Sequence, residues 1–562
     1  MSEKRRGYFS AAVLYRKSQS TAFLRCFQTV DKVPLIERKS FMRGTFCGII
    51  GTEGGEAGMM TKMGETGREQ VEIISLDELV PAEHIVRKIE AAIDWSFIYE
   101  FVEESYCEDN GRPSLDPVIL IKLPVLQYMF GIRSMRQTIR EIEVNNAYRW
   151  FLGIGLHEKV PHFSTFGKNY VRRFEGSDLF EKIFQQILSE CVKAGLVDES
   201  VVFVDSTHVK ARANSKKYVD EIAEEQTLWY EQKLKEEIQK DREAHGKNPL
   251  KEEASEDEAD DKDDEVPKGG AGKPNPNTSK KKQKRHKNEK HIKKSTSDPE
   301  SGWFRKGEHK NVFAYSVQTA CDRHGVVLGY SVNPGNEHDS RTFKGLYEKI
   351  KDFNTEIVVA DSAYKTPAIA KLLHDDGKEL LSTYSRPKTK DEFFRKYEYV
   401  YDEYYDCYIC SNDQILKYST TNRDGYREYK SDPHICSGCP YREKCTESKN
   451  CTKIVTRHVW EDDLEQVEEQ RYTYGIREYY ELRKETIERV FAMAKELHSF
   501  RYTQEYGKAH MEIKAALTFA CINLKKLAKK RWENRTIPSF FQLFPDFLLT
   551  FFNICTANPL SA

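Results

Sequence analysis

Val201-Val202-Phe203-Val204-Asp205-Ser206-Thr207 is a run of four apolar residues that ends on a carboxylate. The pattern returns far downstream as Ile357-Val358-Val359-Ala360-Asp361-Ser362-Ala363. Both runs are short, rich in β-branched residues and uncharged until the Asp. Such a run reads as a strand buried on both faces, in a parallel or mixed sheet covered by helices. Open α/β sheets bind ligands beyond the carboxyl ends of their strands. The two runs therefore predict an Asp at the end of each of two core strands. An Asp there can also simply start a turn or cap a helix, but its occurrence at two matching strand ends favours a shared site.

The surrounding pattern extends the sheet. Asn311 to Ala320 reads as a strand, Asp322-Arg323-His324-Gly325 as a turn, and Val326 to Val332 as the hairpin partner. A helix is expected from Ser340 to Phe353, another from Ala368 to His374, and a fifth strand from Glu379 to Thr383. The fold class is α/β, with a mixed five-stranded sheet flanked by helices.

Upstream, residues 75 to 175 read as all-helical. Asp116-Pro117 opens a helix through Leu126, with a kink expected at Pro124, and Ser134 caps the next. Arg133, Arg136, Arg140, Arg149, Lys168, Arg172 and Arg173 make the last helices basic. That charge suits contacts to DNA phosphates, or an ordinary solvated surface. From Tyr472 to His498 the helical period returns, with Ile487, Val490, Phe491, Ala494 and Leu497 on one face. Lys484, Glu488 and Lys495 stripe its edge. A last helix is expected from His510 to Lys530.

The totals exclude little. Lys and Arg number 88 against 89 Asp and Glu, so net charge names no partner, and the local patches carry more. No apolar stretch reaches the length of a membrane span, and the start lacks the apolar core of a signal peptide. Thirteen Cys, an odd count, point to reduced thiols and a cytoplasmic chain. Cys407-x-x-Cys410 and Cys436-x-x-Cys439 have the paired spacing of a structural Zn²⁺ site, with Cys445, Cys451 and His434 as spare ligands; buried, unused thiols are the other reading. The block from Glu252 to Lys294, acidic then Gly/Pro-rich then basic, cannot bury enough apolar surface to fold.

Two strand-end Asp and a helix-edge Glu suit Mg²⁺, a hard cation that prefers oxygen ligands. A pair of such ions clamps the attacking and leaving oxygens of an in-line phosphoryl displacement. Taken alone, Glu488 reads better as an i,i+4 surface pair with Lys484; the two strand-end Asp residues shift it toward the metal.

Together these blocks resemble a bacterial insertion-sequence DDE transposase. The resemblance rests on the two Asp runs and on Arg483-Lys484-Glu485-Thr486-Ile487-Glu488-Arg489-Val490-Phe491-Ala492-Met493-Ala494-Lys495. Arg112 to Pro117, Gly131 to Ser134, Trp150 to Gly153 and Val160 to Phe166 resemble that family's helical N-terminal domain. The blocks occur in the family's order over roughly residues 70 to 530.

The resemblance implies an RNase H-like core with catalytic, Mg²⁺- or Mn²⁺-binding Asp205, Asp361 and Glu488, holding two ions. It implies cleavage at terminal inverted repeats and joining of the freed 3′-hydroxyl to target DNA. Tyr480, Arg483, Lys484, Lys495, Arg172 and Arg173 become candidate DNA contacts, and His338, in Asn336-Glu337-His338-Asp339-Ser340, lies near the site. The family's helix carries Tyr, then Arg three residues on, then Glu after four, then Lys after seven. Glu488 and Lys495 fit, but Arg483 and Tyr480 each stand one residue early, where Lys484 and Glu481 occupy the expected places.

The implied organisation is a poorly ordered extension at 1-70 and a helical DNA-binding domain at 71-178. The catalytic core occupies 179-385 and 471-531, with a disordered tether at 246-300. A cysteine-containing insertion fills 386-470 and a tail closes the chain at 532-562. Met59, Met60 and Met63 suggest a natural start just before the globular pattern. Double-stranded DNA, as terminal repeats and target, is the implied partner, with a homodimer in the synaptic complex, no membrane, and association with the nucleoid when DNA is bound. A metal-dependent nuclease or resolvase without strand transfer, and a domesticated DNA-binding protein, are the alternatives.

Overall fold

The computed structural model describes residues 71, 73–106, 114–224, 229–250, 289–306, 310–384, 389–473 and 475–536. The expectations for residues 1–70, for the centre of the tether and for the tail beyond residue 536 lie outside these. All that follows belongs to the unit that begins at Ile73.

The first part is helical: α1 (Leu76–Leu79), α2 (Ile85–Glu90), α3 (Phe97–Val102), α4 (Pro117–Met129), α5 (Met135–Val144), α6 (Asn146–Leu152), α7 (Phe163–Asn169) and α8 (Leu179–Lys193). Its starts follow local chemistry. Asp116 caps α4, which runs through Pro124 to Met129, and the Ser134 hydroxyl accepts the Gln137 N–H at the start of α5. Arg149, one of the basic set, is not a surface cation. It is buried and donates to the carbonyls of Gly155 at 2.8 Å and Glu158 at 3.0 Å.

Strand β1 (Val201–Lys210) continues past Asp205 instead of ending there. The stretch after β1 forms β2 (Tyr218–Glu224) and α9 (Glu231–Ala244). β2 pairs antiparallel with β3 (Glu289–Ser295), so the far end of the expected tether is a strand. Next come β4 (Gly302–Lys306), β5 (Lys310–Asp322), β6 (Val327–Pro334), α10 (Asp339–Ile350), β7 (Ile357–Ala360), α11 (Pro367–Asp375) and β8 (Glu379–Ser382).

The main sheet is ordered β6-β5-β1-β7-β8 and is RNase H-like. β5 is antiparallel to β1, whereas β7 is parallel to both β1 and β8. It has six strands, not five. β5 is longer than β6, and β4 pairs with the remainder of the same edge. The short β4, Gly-Trp-Phe-Arg-Lys, escaped the sequence reading because it has no apolar run. Gly302 lets it pass a neighbouring turn, since a Cβ there would stand 2.4 Å from the Asn336 backbone nitrogen.

Helices cover both faces, which is why Val202, Phe203 and Val204 have no exposure. Gly329 and Tyr330 mark the two sides. A Cβ on Gly329 would meet Ile350 of α10 at 2.8 Å, and the Tyr330 ring packs on Phe519 with centroids 5.6 Å apart. Phe519 belongs to α17 (Lys508–Thr536), which also packs on α2, α4 and α8. One hydrophobic cluster thus runs from the N-terminal helices into the sheet.

The cysteine-bearing stretch forms a separate antiparallel sheet, β13-β12-β11-β10-β9. Its strands are β9 (Val400–Asp402), β10 (Cys407–Ile409), β11 (Ile415–Thr421), β12 (Tyr426–Lys430) and β13 (Ile454–His458). The short α12 (Pro433–Ser437) and α13 (Arg442–Cys445) lie between β12 and β13. The sheet docks on α9. Arg427 Nε reaches Asp241 Oδ1 at 2.7 Å, Arg242 donates to the Thr421 carbonyl at 2.7 Å, and His245 Nε2 meets Asp406 at 2.6 Å. The chain returns through α14 (Glu461–Gln470), α15 (Ile476–Glu485) and α16 (Ile487–Leu497). The single helical period read from Tyr472 to His498 is broken at Thr486, with φ −106° and ψ −95°. Among the described residues no helix is long and apolar enough to cross a membrane.

Candidate active site

Pairing of β1 with β7 stops at Phe203 and Val359. Asp205 lies two residues beyond that point on β1, and Asp361 two beyond it on the parallel neighbour. The register that aligns Val201 with Ile357 therefore carries the two carboxylates side by side. On its other edge β1 remains paired, with Thr319 directly opposite Asp205. The strand end foreseen at Asp205 is thus the end of one ladder only.

Asp205 is held by two donors. The Arg483 guanidinium stands 3.0 Å from Oδ2, and the Ser206 N–H donates to Oδ1 at 2.8 Å. Burial nevertheless pushes its carboxyl up to about 6, opposed by Arg483 and the Ser206 N–H and reinforced by the charges of Asp361 and Asp339. Asp361 turns the chain: its Oδ1 accepts the Ala363 N–H at 2.9 Å, and its carbonyl accepts the Ser382 hydroxyl at 2.9 Å.

Asp339 is a third acid of this neighbourhood and was not singled out from sequence. Ser206 Oγ donates to its Oδ2 at 2.8 Å, and the Gln318 amide donates to its carbonyl at 2.7 Å. The Tyr364 side chain is fully buried beside these acids, and burial, then the charges of Asp339, Asp205 and Asp361, hold its proton well above the usual range. A signal existed in the sequence: Ser316, Gln318 and Thr319 place polar side chains inside an otherwise apolar strand, and all three are buried.

The remaining candidates separate. Glu488 lies in the first turn of α16 and is exposed. The structure brings Arg483, in the last turn of α15, onto Asp205, and the Tyr480 hydroxyl onto the Ser382 carbonyl. Lys484 is exposed, and Lys495 lies beside the Phe491 ring at 5.8 Å. His338 caps α10, its Nδ1 accepting the Ser340 N–H at 3.3 Å. Arg172 is exposed in the short π-helix Tyr170–Phe174, where Arg173 covers the Tyr106 ring at 4.3 Å.

Among the described residues no three His, Cys, Asp or Glu side chains stand close enough to hold a metal ion as they are. The donor chemistry at Asp205 and Asp361 still fits Mg²⁺, which is commonly held by one or two carboxylates, water and substrate phosphates, not by a closed protein cage. Among the cysteines expected to pair, Cys410, Cys436 and Cys439 line one cavity together with Cys445, whereas Cys407 does not. An extended backbone alternates its side chains, so residues three apart face opposite ways.

Two family models match the chain. A transposase domain (DUF772) matches residues 74–172, and a transposase DDE domain (DDE_Tnp_1_6) matches residues 409–528. The first spans α1 to α7. The second contains Glu488 and the four cysteines that line the cavity but neither Asp205 nor Asp361. No curated protein and no solved structure matches.

Proposed function

We propose, from the premise that this chain is an insertion-sequence DDE transposase, that it cleaves DNA at terminal inverted repeats and joins the freed 3′-hydroxyl to target DNA. The observation that carries this reading is the placement of Asp205 and Asp361 at the notch where β1 and β7 part. Asp205, Asp361 and Glu488 are the proposed Mg²⁺ ligands and catalytic acids. Bound divalent cations would supply charge stabilisation at the scissile phosphate and activate the attacking oxygen.

The protein's own groups prepare the notch. Burial on β1 desolvates Asp205 and fixes its direction, while Arg483 offsets its charge. Asp361 is oriented by its own turn. Glu488 is exposed at the head of a short helix that follows an irregular residue. In this reading α16 turns Glu488 inward when DNA and cations fill the notch, and Arg483 passes from Asp205 to a backbone phosphate. Lys484 and Lys495 provide further phosphate contacts. Arg172 and Arg173 serve the DNA ends in the N-terminal region, and two protomers synapse the ends.

The test uses purified full-length protein with Mg²⁺ or Mn²⁺ and DNA carrying the element's own terminal repeats. Cleaved 3′-ends and strand-transfer products from pre-cut ends are expected. Cleavage without transfer from pre-cut ends would instead assign a nuclease.

A further inference from the structure

The excursion between β12 and β13 folds α12 and α13 against the turn that follows β10. It carries Cys436, Cys439 and Cys445 to the side where Cys410 already stands, and the four line one cavity of about 20 Å³. That is room for about one water-sized sphere. Cys439 donates its N–H to the Cys436 carbonyl at 3.3 Å, so a tight turn closes the Cys-x-x-Cys. Cys445 is the last residue of α13, and its sulfur stands 3.2 Å from the Tyr399 hydroxyl.

Apart from its docking on α9, the sheet has only a small interior of its own. Its buried core is Tyr399, Tyr408, Leu416, Tyr429 and Val455. A core this small leaves the connection from residue 433 to 453 dependent on a staple.

We propose that Cys410, Cys436, Cys439 and Cys445 form a structural zinc site that pins α12 and α13 to the insertion sheet. Cys445 takes the place that sequence spacing gave to Cys407. The reason is geometric. Cys407 lies within β10, opposite Asp402 and Lys417 in the ladders, and three residues from Cys410 on an extended segment. Cys410 shares the face of Tyr408 and packs on that core with Cys445.

Four sulfur ligands leave no open position, so the site is structural and not catalytic. The sulfurs have not closed to coordination distance as they stand. Zinc converts them to thiolates, releases up to about four protons to solvent and draws the sulfurs to about 2.3 Å from the ion.

Zinc content of the full-length protein, purified without chelator, tests this directly. About one zinc per chain is expected. Cys407→Ser keeps it and Cys445→Ser loses it. After exchange with Co²⁺, wild type and Cys407→Ser show thiolate-to-cobalt charge transfer and a tetrahedral visible band. Cys445→His guards against simple misfolding: it retains cobalt with a shifted band, because imidazole is also a ligand. Zinc retained by Cys445→Ser and lost from Cys407→Ser would overturn the assignment. So would folded wild-type protein that binds neither zinc nor cobalt. None of these measurements needs DNA, and Asp205→Asn protein should carry the same zinc, so the outcome is separate from that of the catalytic reading.

Discussion

Arg483 Nη2 lies 3.0 Å from Asp205 Oδ2, and the two side chains come from different layers, one from the end of α15 and the other from the central strand. Both are largely desolvated, with side-chain exposures of 11% and 20%. Removing one partner of such a pair strands the other charge. Arg483→Ala should therefore destabilise the protein by about 2–3 kcal/mol near pH 8, and by less near pH 5, where Asp205 can take up a proton. Urea denaturation at the two pH values checks this. An equal loss at both would show that packing, not charge, is the main effect.

Proton binding at Asp205 gives a second expectation. Its carboxyl lies at about 6 in the folded chain against an ordinary 3.8. The folded value is the higher, so this group's contribution to stability is complete below about 3.8 and is lost as pH rises through about 6. Cation binding has the opposite slope, because the ion competes with the proton. Mn²⁺ affinity, followed by titration calorimetry on the protein alone, should fall up to about tenfold per pH unit below the midpoint. Arg483→Ala should move that midpoint upward, since the charge opposing protonation has gone.

The proposed acids can be told from the DNA-binding surface. Asp205→Asn, Asp361→Asn and Glu488→Gln should each reduce strand cleavage at least about a thousandfold, comparable to loss of a major electrostatic element in other sites. Binding of terminal-repeat DNA, measured by anisotropy, should stay within a few fold of wild type. Full cleavage by Glu488→Gln would remove Glu488 from the set and turn attention to Asp339.

Asp241 tests how the insertion is held. It is buried on α9, accepts from the Thr421 hydroxyl and pairs with Arg427 at 2.7 Å. Asp241→Ala leaves the Arg427 guanidinium without its carboxylate and should cost about 3 kcal/mol at the α9 interface. Limited proteolysis should then cut the segment between β8 and α14 sooner than in wild type, with the sheet around β1 cut no faster.

The sheet was legible because most of its strands are buried on both faces and carry short apolar runs. The two Asp runs, the hairpin after Asp322 and the short β8 follow from that property. Pattern failed where tertiary pairing supplies what sequence lacks. β4 has no apolar run, yet it is a strand because β5 has free edge to offer. β3 lies in basic, low-complexity sequence and pairs only because β2 faces it.

The site was read in a similar way. Asp205 and Asp361 announced themselves, but Asp339 sat beside His338, which the resemblance set near the site and which caps α10. The one-residue offset around Arg483 coincides with the irregular Thr486, which separates two helices that periodicity joined into one. Cys407 was chosen by spacing, and spacing alone cannot tell a strand, where residues three apart oppose each other, from a turn, where they converge.

The alignment of Val201, Val202 and Phe203 with Ile357, Val358 and Val359 has a consequence for how the active centre is guarded. Among the described residues no hydrogen bond or salt link joins the two acid side chains; their spacing comes from the ladder register, which the buried apolar side chains fix. A slip of one residue along that ladder would turn Asp205 toward the opposite layer and drive apolar side chains out of their places. The interior thus acts as a gauge block for the chemistry above it. Wear on that gauge, such as a methyl group shaved from Val202 or Val358, would be felt as misalignment of the acids in a protein whose polar groups are all intact.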